Sequence, residues 1–149
     1  MKYIGLFLTL LSTALFAAPN RFPQGTFEGK GYWKMPSGQK GEYTAVLKVT
    51  GNEVYSKVDL GNGEVHEETG TLNFDENGFY SMTHGENQEP VATGYCGSVW
   101  CHSEGSSSEG AFEETIVFKD NQVYRLGSMK LQDVGLIMYE DALAPATKR

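Results

Sequence analysis

The chain is short of cysteine, histidine and positive charge, and each shortage narrows what it can do. Lys and Arg number 12 against 19 Asp and Glu, a formal net charge of −7. An acidic chain with scattered charges is a poor partner for nucleic-acid phosphates or anionic membrane surfaces. There are three His and two Cys. If Phe74 and Phe79 pair across the Asp75–Gly78 turn, His66 and His84 fall on opposite faces of the hairpin and cannot share an ion. Asp75-Glu76-Asn77-Gly78 lacks the ligand spacing and terminal Glu of a calcium loop, and reads as a turn. No Asn-x-Ser/Thr acceptor, no Gly-x-Ser-x-Gly elbow and no glycine-rich phosphate loop occurs. With no catalytic motif in view, the reading is non-enzymatic. No amphipathic helix is expected either, apart from the short Ala142–Ala144 stretch.

No apolar run approaches membrane-spanning length after the first residues. Residues 1–18 hold Lys2, an apolar run from Tyr3 through Leu11, then Ser12, Thr13 and Ala14 to Ala18. A charged start, a short apolar stretch and a small-residue zone are the marks of a secretory signal peptide. The run is short for the roughly 20 residues of a transmembrane helix. Cleavage fits the small-x-small rule at Ser12-Thr13-Ala14, while a cut after Ala17 or Ala18 leaves a more usual apolar stretch. The expectation is an exported, soluble protein, periplasmic or extracellular, with residues 19–149 forming one domain large enough for a core.

What is present is β-structure. Gly, Thr, Tyr, Phe and Val dominate, and turn signals recur every 8–12 residues or so, the pattern of an all-β sandwich or barrel. Strands are expected near 26–35, 41–50, 53–60, 64–74, 79–84, 91–96, 111–118, 122–130 and 134–140. The second and third carry the clearest register. A two-residue loop at Gly51-Asn52 pairs Val49 with Val54, Leu47 with Ser56, Ala45 with Val58 and Tyr43 with Leu60. One face is then apolar and the other, with Thr44, Lys48, Glu53 and Lys57, is wet. Consecutive hairpins without a crossover predict an antiparallel up-and-down β-barrel of eight to ten strands, closed so that no edge is exposed.

Two segments are less regular. Continuing the core face through a three-residue loop at Gly61–Gly63 would turn His66 and Glu68 inward, where they need partners or water. A bulge at Gly70 leaves them outside with Leu72 and Phe74 inside, and this is the favoured expectation. Residues 103–110, Ser-Glu-Gly-Ser-Ser-Ser-Glu-Gly, read as a flexible loop without core potential, an aperture or spacer.

The segment Tyr95-Cys96-Gly97-Ser98-Val99-Trp100-Cys101-His102 concentrates the unusual residues. Five extended steps separate Cα atoms by roughly 16–18 Å, whereas a disulfide needs about 4.4–6.8 Å. A Cys96–Cys101 bond therefore requires the chain to reverse within Gly97–Trp100, and would pin a local loop. Exported chains favour this outcome. The spacing Cys-x4-Cys-His also resembles a variant c-type haem attachment, with Cys96 and Cys101 as thioethers and His102 as iron ligand. A two-cysteine metal or redox site is the third possibility. No cofactor is otherwise expected.

Gly31-Tyr32-Trp33 at the start of the first strand, with Arg125 on a late strand, resembles the calycin superfamily, the lipocalin-like and fatty-acid-binding-like barrels. The resemblance implies that Trp33 packs near the closed end against Arg125 in a cation–π contact. Aromatic content of 12% with eight Tyr exceeds what closing a small core requires. The expected function is therefore binding of a small apolar or amphipathic molecule. Trp33, Tyr43, Tyr95, Trp100 and Tyr124 are expected to line a cavity or its rim, and His66, Glu68 and Arg125 to supply polar groups. The alternatives are a protein-binding or inhibitor module presenting the Cys96–Cys101 loop, or an envelope component with a filled interior.

Overall fold

Gly51, with φ of 61°, turns the chain between β2 (Lys40–Thr50) and β3 (Glu53–Asp59), so that Val49 meets Val54, Leu47 meets Ser56 and Ala45 meets Val58. This is the register that the alternation predicts. The computed structural model describes residues 22–84, 89–106 and 110–147; the expected signal peptide and the tip of the 103–110 segment lie outside them. The remaining strands are β1 (Gly25–Lys34), β4 (Val65–Phe74), β5 (Phe79–His84), β6 (Glu89–Cys96), β7 (Trp100–Ser106), β8 (Gly110–Lys119), β9 (Gln122–Leu131) and β10 (Gly135–Pro145). Each pairs antiparallel with its neighbours in sequence, and β1 pairs with β10 to close the barrel. Asp120 and Asn121, both at positive φ, form the two-residue link between β8 and β9, as the primed hairpin turns require. Among the described residues there is no helix, and hence none that is long and apolar enough to cross a membrane.

Four expectations are corrected. Residues 103–106 are strand, not flexible loop, and bring the count to ten. Ser103 is buried and Gly105 lies opposite Phe112, so small residues sit where large neighbours fill the space. Ala142–Ala144 belongs to β10, whose inward partners are already set by Leu143 and Asp141. β3 and β4 run in straight register through Gly70, with Ser56 opposite Glu68 and Val58 opposite His66. Gly70 is there for close approach: an added Cβ would stand 3.0 Å from Met82 Cγ and 3.2 Å from the Thr83 carbonyl oxygen. The register shift lies instead between Met82 and Thr83 on β5. Finally, Phe74 pairs with Tyr80 rather than Phe79. One step of register exchanges the faces of a strand, so His66 and His84 lie on the same face after all. They do not meet: among the described residues no group of three or more His, Cys, Asp or Glu is placed to hold a metal.

Burial along the inward rungs is graded from one end to the other. Leu47, Val49, Leu72, Val123, Leu143, Cys96 and Cys101 are sealed, with Phe22 and Phe27 packed beside them. Further along the same strands Glu114, Gly127, Met129, Ile137 and Tyr139 keep partial access, and Glu68 and His66 are exposed although their register points them inward. The barrel is thus closed at one end and open to water at the other.

Candidate functional site

Two adjacent rungs cross the interior where the sealed half meets the accessible half. The deeper one runs through Tyr43, Gly31, Asp141, Arg125, Ile116, Cys101 and Cys96, each directly opposite the next. The next runs through Gly41, Trp33, Tyr139, Gly127, Glu114, Ser103, Gly94 and Tyr80. The second sets large rings beside glycines repeatedly, and the first opens with one such pair, Tyr43 beside Gly31. An added Cβ at Gly31 would fall within the Tyr43 ring, at Gly94 within the Tyr80 ring and at Gly127 within the Tyr139 ring.

The consequence is a repeated device. Each tyrosine lies over a glycine of the adjacent strand, and its hydroxyl reaches a polar side chain one strand further on. Tyr43 crosses Gly31 and donates to Asp141 Oδ2 at 3.1 Å. Tyr139 crosses Gly127 and donates to Glu114 Oε2 at 3.0 Å. Tyr80 crosses Gly94 to hydrogen-bond Ser103. A side chain at any of the three glycines would block the span.

Arg125 and Asp141 are 7% and 6% exposed and form the floor of the accessible half. Nε of Arg125 donates to Asp141 Oδ1 at 3.0 Å, Nη2 to Oδ2 at 2.5 Å, and Nη1 to Ser56 Oγ at 3.4 Å. Burial opposes the guanidinium charge, but the bonds to Asp141 and the nearby Glu114 outweigh it and hold Arg125 protonated. A buried pair of this kind is neutral overall and tightly hydrogen-bonded, the condition under which buried charges are tolerated. Burial pushes the Glu114 carboxyl above the usual carboxylate range; Arg125 and the Tyr139 bond pull it back in part, while Asp141 and Glu68 raise it further. Burial also raises the hydroxyls of Tyr43, Tyr139 and Tyr80, so all three remain donors at neutral pH.

The residues expected at a site divide into three sets. Tyr43 and Arg125 form the floor, and Trp33 stands on the wall above with its indole over Gly41. The expected Trp33–Arg125 cation–π pair is not made, because Asp141 occupies the guanidinium and Trp33 lies one rung away beside Tyr139. Glu68 and His66 face the open end, and His66 Nε2 lies 3.0 Å from Glu64 Oε1. Tyr95, Trp100 and Tyr124, expected at the cavity or its rim, face outward. Their neighbours Cys96, Cys101 and Arg125 take the inward parity, and alternate residues of a strand point to opposite faces.

Cys96 and Cys101 are bonded, with Cα atoms 4.0 Å apart and both residues fully buried. The reversal at Gly97–Trp100 occurs as expected, with the Gly97 amide donating to the Trp100 carbonyl. The bond staples the core rather than an exposed loop. The two sulfurs are bonded to each other, and His102 Nδ1 sits 3.0 Å from Thr115 Oγ1.

Asp141, Glu114, Tyr139, Tyr80 and Ser103 escaped the sequence reading. Glu114 shares parity with Phe112, Ile116 and Phe118, which was the available signal; Asp141 lay beyond the expected end of the last strand. Beside the open end, a depression of about 630 Å³ is walled by Pro90, Thr93, Glu104, Phe112, Glu113 and Lys130, among others. It shares Phe112 with the lumen but lies over the rim and outer surface of β6–β9, so it adjoins the Glu114 floor without containing it.

No protein-family model matches the chain, and no curated protein sequence matches it. Solved structures do. An S-type phycobiliprotein lyase from Guillardia theta superposes with a TM-score of 0.65 at 11% identity, over 85% of this chain and 89% of that one. The shared architecture is consistent with the expected calycin-like barrel. Rv2717c from M. tuberculosis gives 0.60 at 15% identity, over 83% and 92%. A DUF3598-family protein of unknown function from Nostoc punctiforme gives 0.62 at 10% identity, over 88% of this chain but 50% of its own. At these identities the likeness is one of fold.

Proposed function

We propose that this is an exported, non-catalytic binding protein that takes a small amphipathic molecule into the open half of the barrel. The observation that carries the reading is the exposure of inward-facing Glu68 and His66 above a buried polar floor. A filled barrel has no use for water-accessible carboxylates on its inner rungs, whereas ligand sites combine apolar walls with a few placed polar groups. Trp33, Phe112, Met129 and Ile137 supply the walls, and Glu114, Tyr139 and Arg125 the polar floor. The similarity to a phycobiliprotein lyase makes a bilin one reasonable probe. The test is native mass spectrometry of the protein purified from its host, with a neutral fluorescent probe such as N-phenyl-1-naphthylamine added in titration. A co-purifying small molecule that the probe displaces supports the reading. A protein that carries nothing and binds no probe or bilin refutes it.

A second reading rests on the outer face. Phe79, Tyr95 and Trp100 form a chain of rings with centroids 5.0 and 5.7 Å apart, and Phe79 and Trp100 are 58% and 40% exposed. Exposed aromatic patches mark interaction surfaces, and this one borders the hairpin that the disulfide closes. A stoichiometric protein partner released by Trp100→Ala would favour it.

A further inference from the structure

Calycin-like barrels invite the thought of a fatty acid, whose carboxylate an interior arginine would clamp. The charges inside this barrel point elsewhere. Arg125 is the one Lys or Arg on the inward rungs among the described residues, and its charge is balanced by Asp141: Nε and Nη2 donate to that carboxylate, and Nη1 makes a longer contact of 3.4 Å with Ser56 Oγ. The bidentate face that would grip an incoming carboxylate is filled by one from the protein itself. Lys57, the nearest alternative on β3, points outward to Glu67 at 2.8 Å.

What remains uncompensated is negative. Glu114 stands one rung above the neutral Arg125–Asp141 pair. Its Oε2 accepts from Tyr139, and its Oε1 has no protein donor among the described residues. Glu68, on the way to the mouth, is a second carboxylate that forms no ion pair among the described residues and contributes to the field at Glu114. A carboxylate ligand entering this lumen meets like charge, and the side-on face of the Arg125 guanidinium is already taken by Asp141. A ligand ending in an ammonium, or another cationic N–H donor, meets an open acceptor oxygen to which it can donate a charge-assisted hydrogen bond.

We infer that the lumen selects amphiphiles with a cationic, nitrogen-centred head, that this head sits on Glu114, and that fatty acids of the same length are rejected. The inference rests on the cavity reading above and names its ligand class.

The experiment is competition against N-phenyl-1-naphthylamine at neutral pH with three ligands of one chain length: decylamine, decanoate and decanol. Decylamine is expected to displace the probe at a concentration about tenfold below that of decanoate, the worth of one charge-assisted hydrogen bond. Glu114→Gln is expected to remove that preference over decanoate, whereas a preference owed to the general acidity of the chain would persist in the variant. Decanoate competing as well as decylamine in the wild type overturns the inference and leaves the cavity reading intact. A preference for decylamine that survives Glu114→Gln overturns the assignment to Glu114. If the probe does not bind, or no ligand displaces it, the cavity reading fails and the inference with it. The wild-type comparison decides the head-group preference even if the variant does not fold.

Discussion

The Tyr139 hydroxyl reaches Glu114 across a whole strand, 3.0 Å from Oε2, because Gly127 between them has no side chain. Two neighbouring strands would ordinarily bury such a ring against a side chain. Here the ring lies flat over backbone, and its polar tip extends to the next strand. Tyr43 over Gly31 and Tyr80 over Gly94 repeat the arrangement, so the polar floor is built from three spans rather than from three chance contacts.

Gly31→Ala should be strongly destabilising. The nearest atoms to the added methyl all belong to the Tyr43 side chain, and overpacking of this kind costs typically about 1–3 kcal/mol. In denaturant melts, Gly31→Ala combined with Tyr43→Leu should be less destabilised than the sum of the single changes, because the second removes the clash made by the first. Strict additivity would show that the ring can move aside without cost.

Arg125→Met should cost about 3–5 kcal/mol, because it leaves Asp141 buried without its cation. Adding Asp141→Asn should recover a large part of that loss, since an amide can still accept from Tyr43 and carries no charge. If the double variant melts as low as the single one, the floor is held by packing of the Arg125 side chain and not by the ion pair.

Stability should depend on pH through Glu114. Its folded pKa is raised above the unfolded value, so the native state holds a proton that the unfolded chain releases first. Unfolding stability is then full below the unfolded pKa of about 4.3 and falls as pH rises through the folded value. Glu114→Gln removes this term while keeping an acceptor for Tyr139. The melting-temperature difference, variant minus wild type, should therefore grow more positive from pH 4 upward. A difference independent of pH would contradict the burial of this carboxyl.

The Cys96–Cys101 bond should resist reductant in the folded protein. Both residues are fully buried, and thiol–disulfide exchange needs access to a sulfur. The intact mass should lie two hydrogens below the reduced value, and should stay there under dithiothreitol until denaturant is added. Replacing both residues by Ser should cost about 2 kcal/mol, the loop-entropy value for so short a ring. Reduction at the same rate with and without denaturant would place the bond at the surface.

Alternation and turn residues alone determined the class and much of the register. From Tyr43 to Leu60 the apolar parity and the Gly51-Asn52 loop leave one pairing that buries Leu47, Ala45 and Val58 together, and the barrel has it. The reversal at Gly97–Trp100 follows in the same way from chain geometry once the two sulfurs are joined. Such features are local, decided within one hairpin.

The interior was decided by the tertiary structure. Whether Glu68 faces in or out depends on one residue of register at Gly70, and in isolation the cost of burying a carboxylate favours a bulge. Only a barrel whose upper half is open to water removes that cost. Arg125 chose Asp141 over Trp33 because closure of β1 on β10 fixes the barrel around the β9–β10 pair, where Asp141 stands opposite Arg125. Glu114 and Tyr139 are 25 residues apart in sequence and meet across a glycine on an intervening strand. Periodicity can give the parity of each residue, but not which partner a closed sheet will set opposite it.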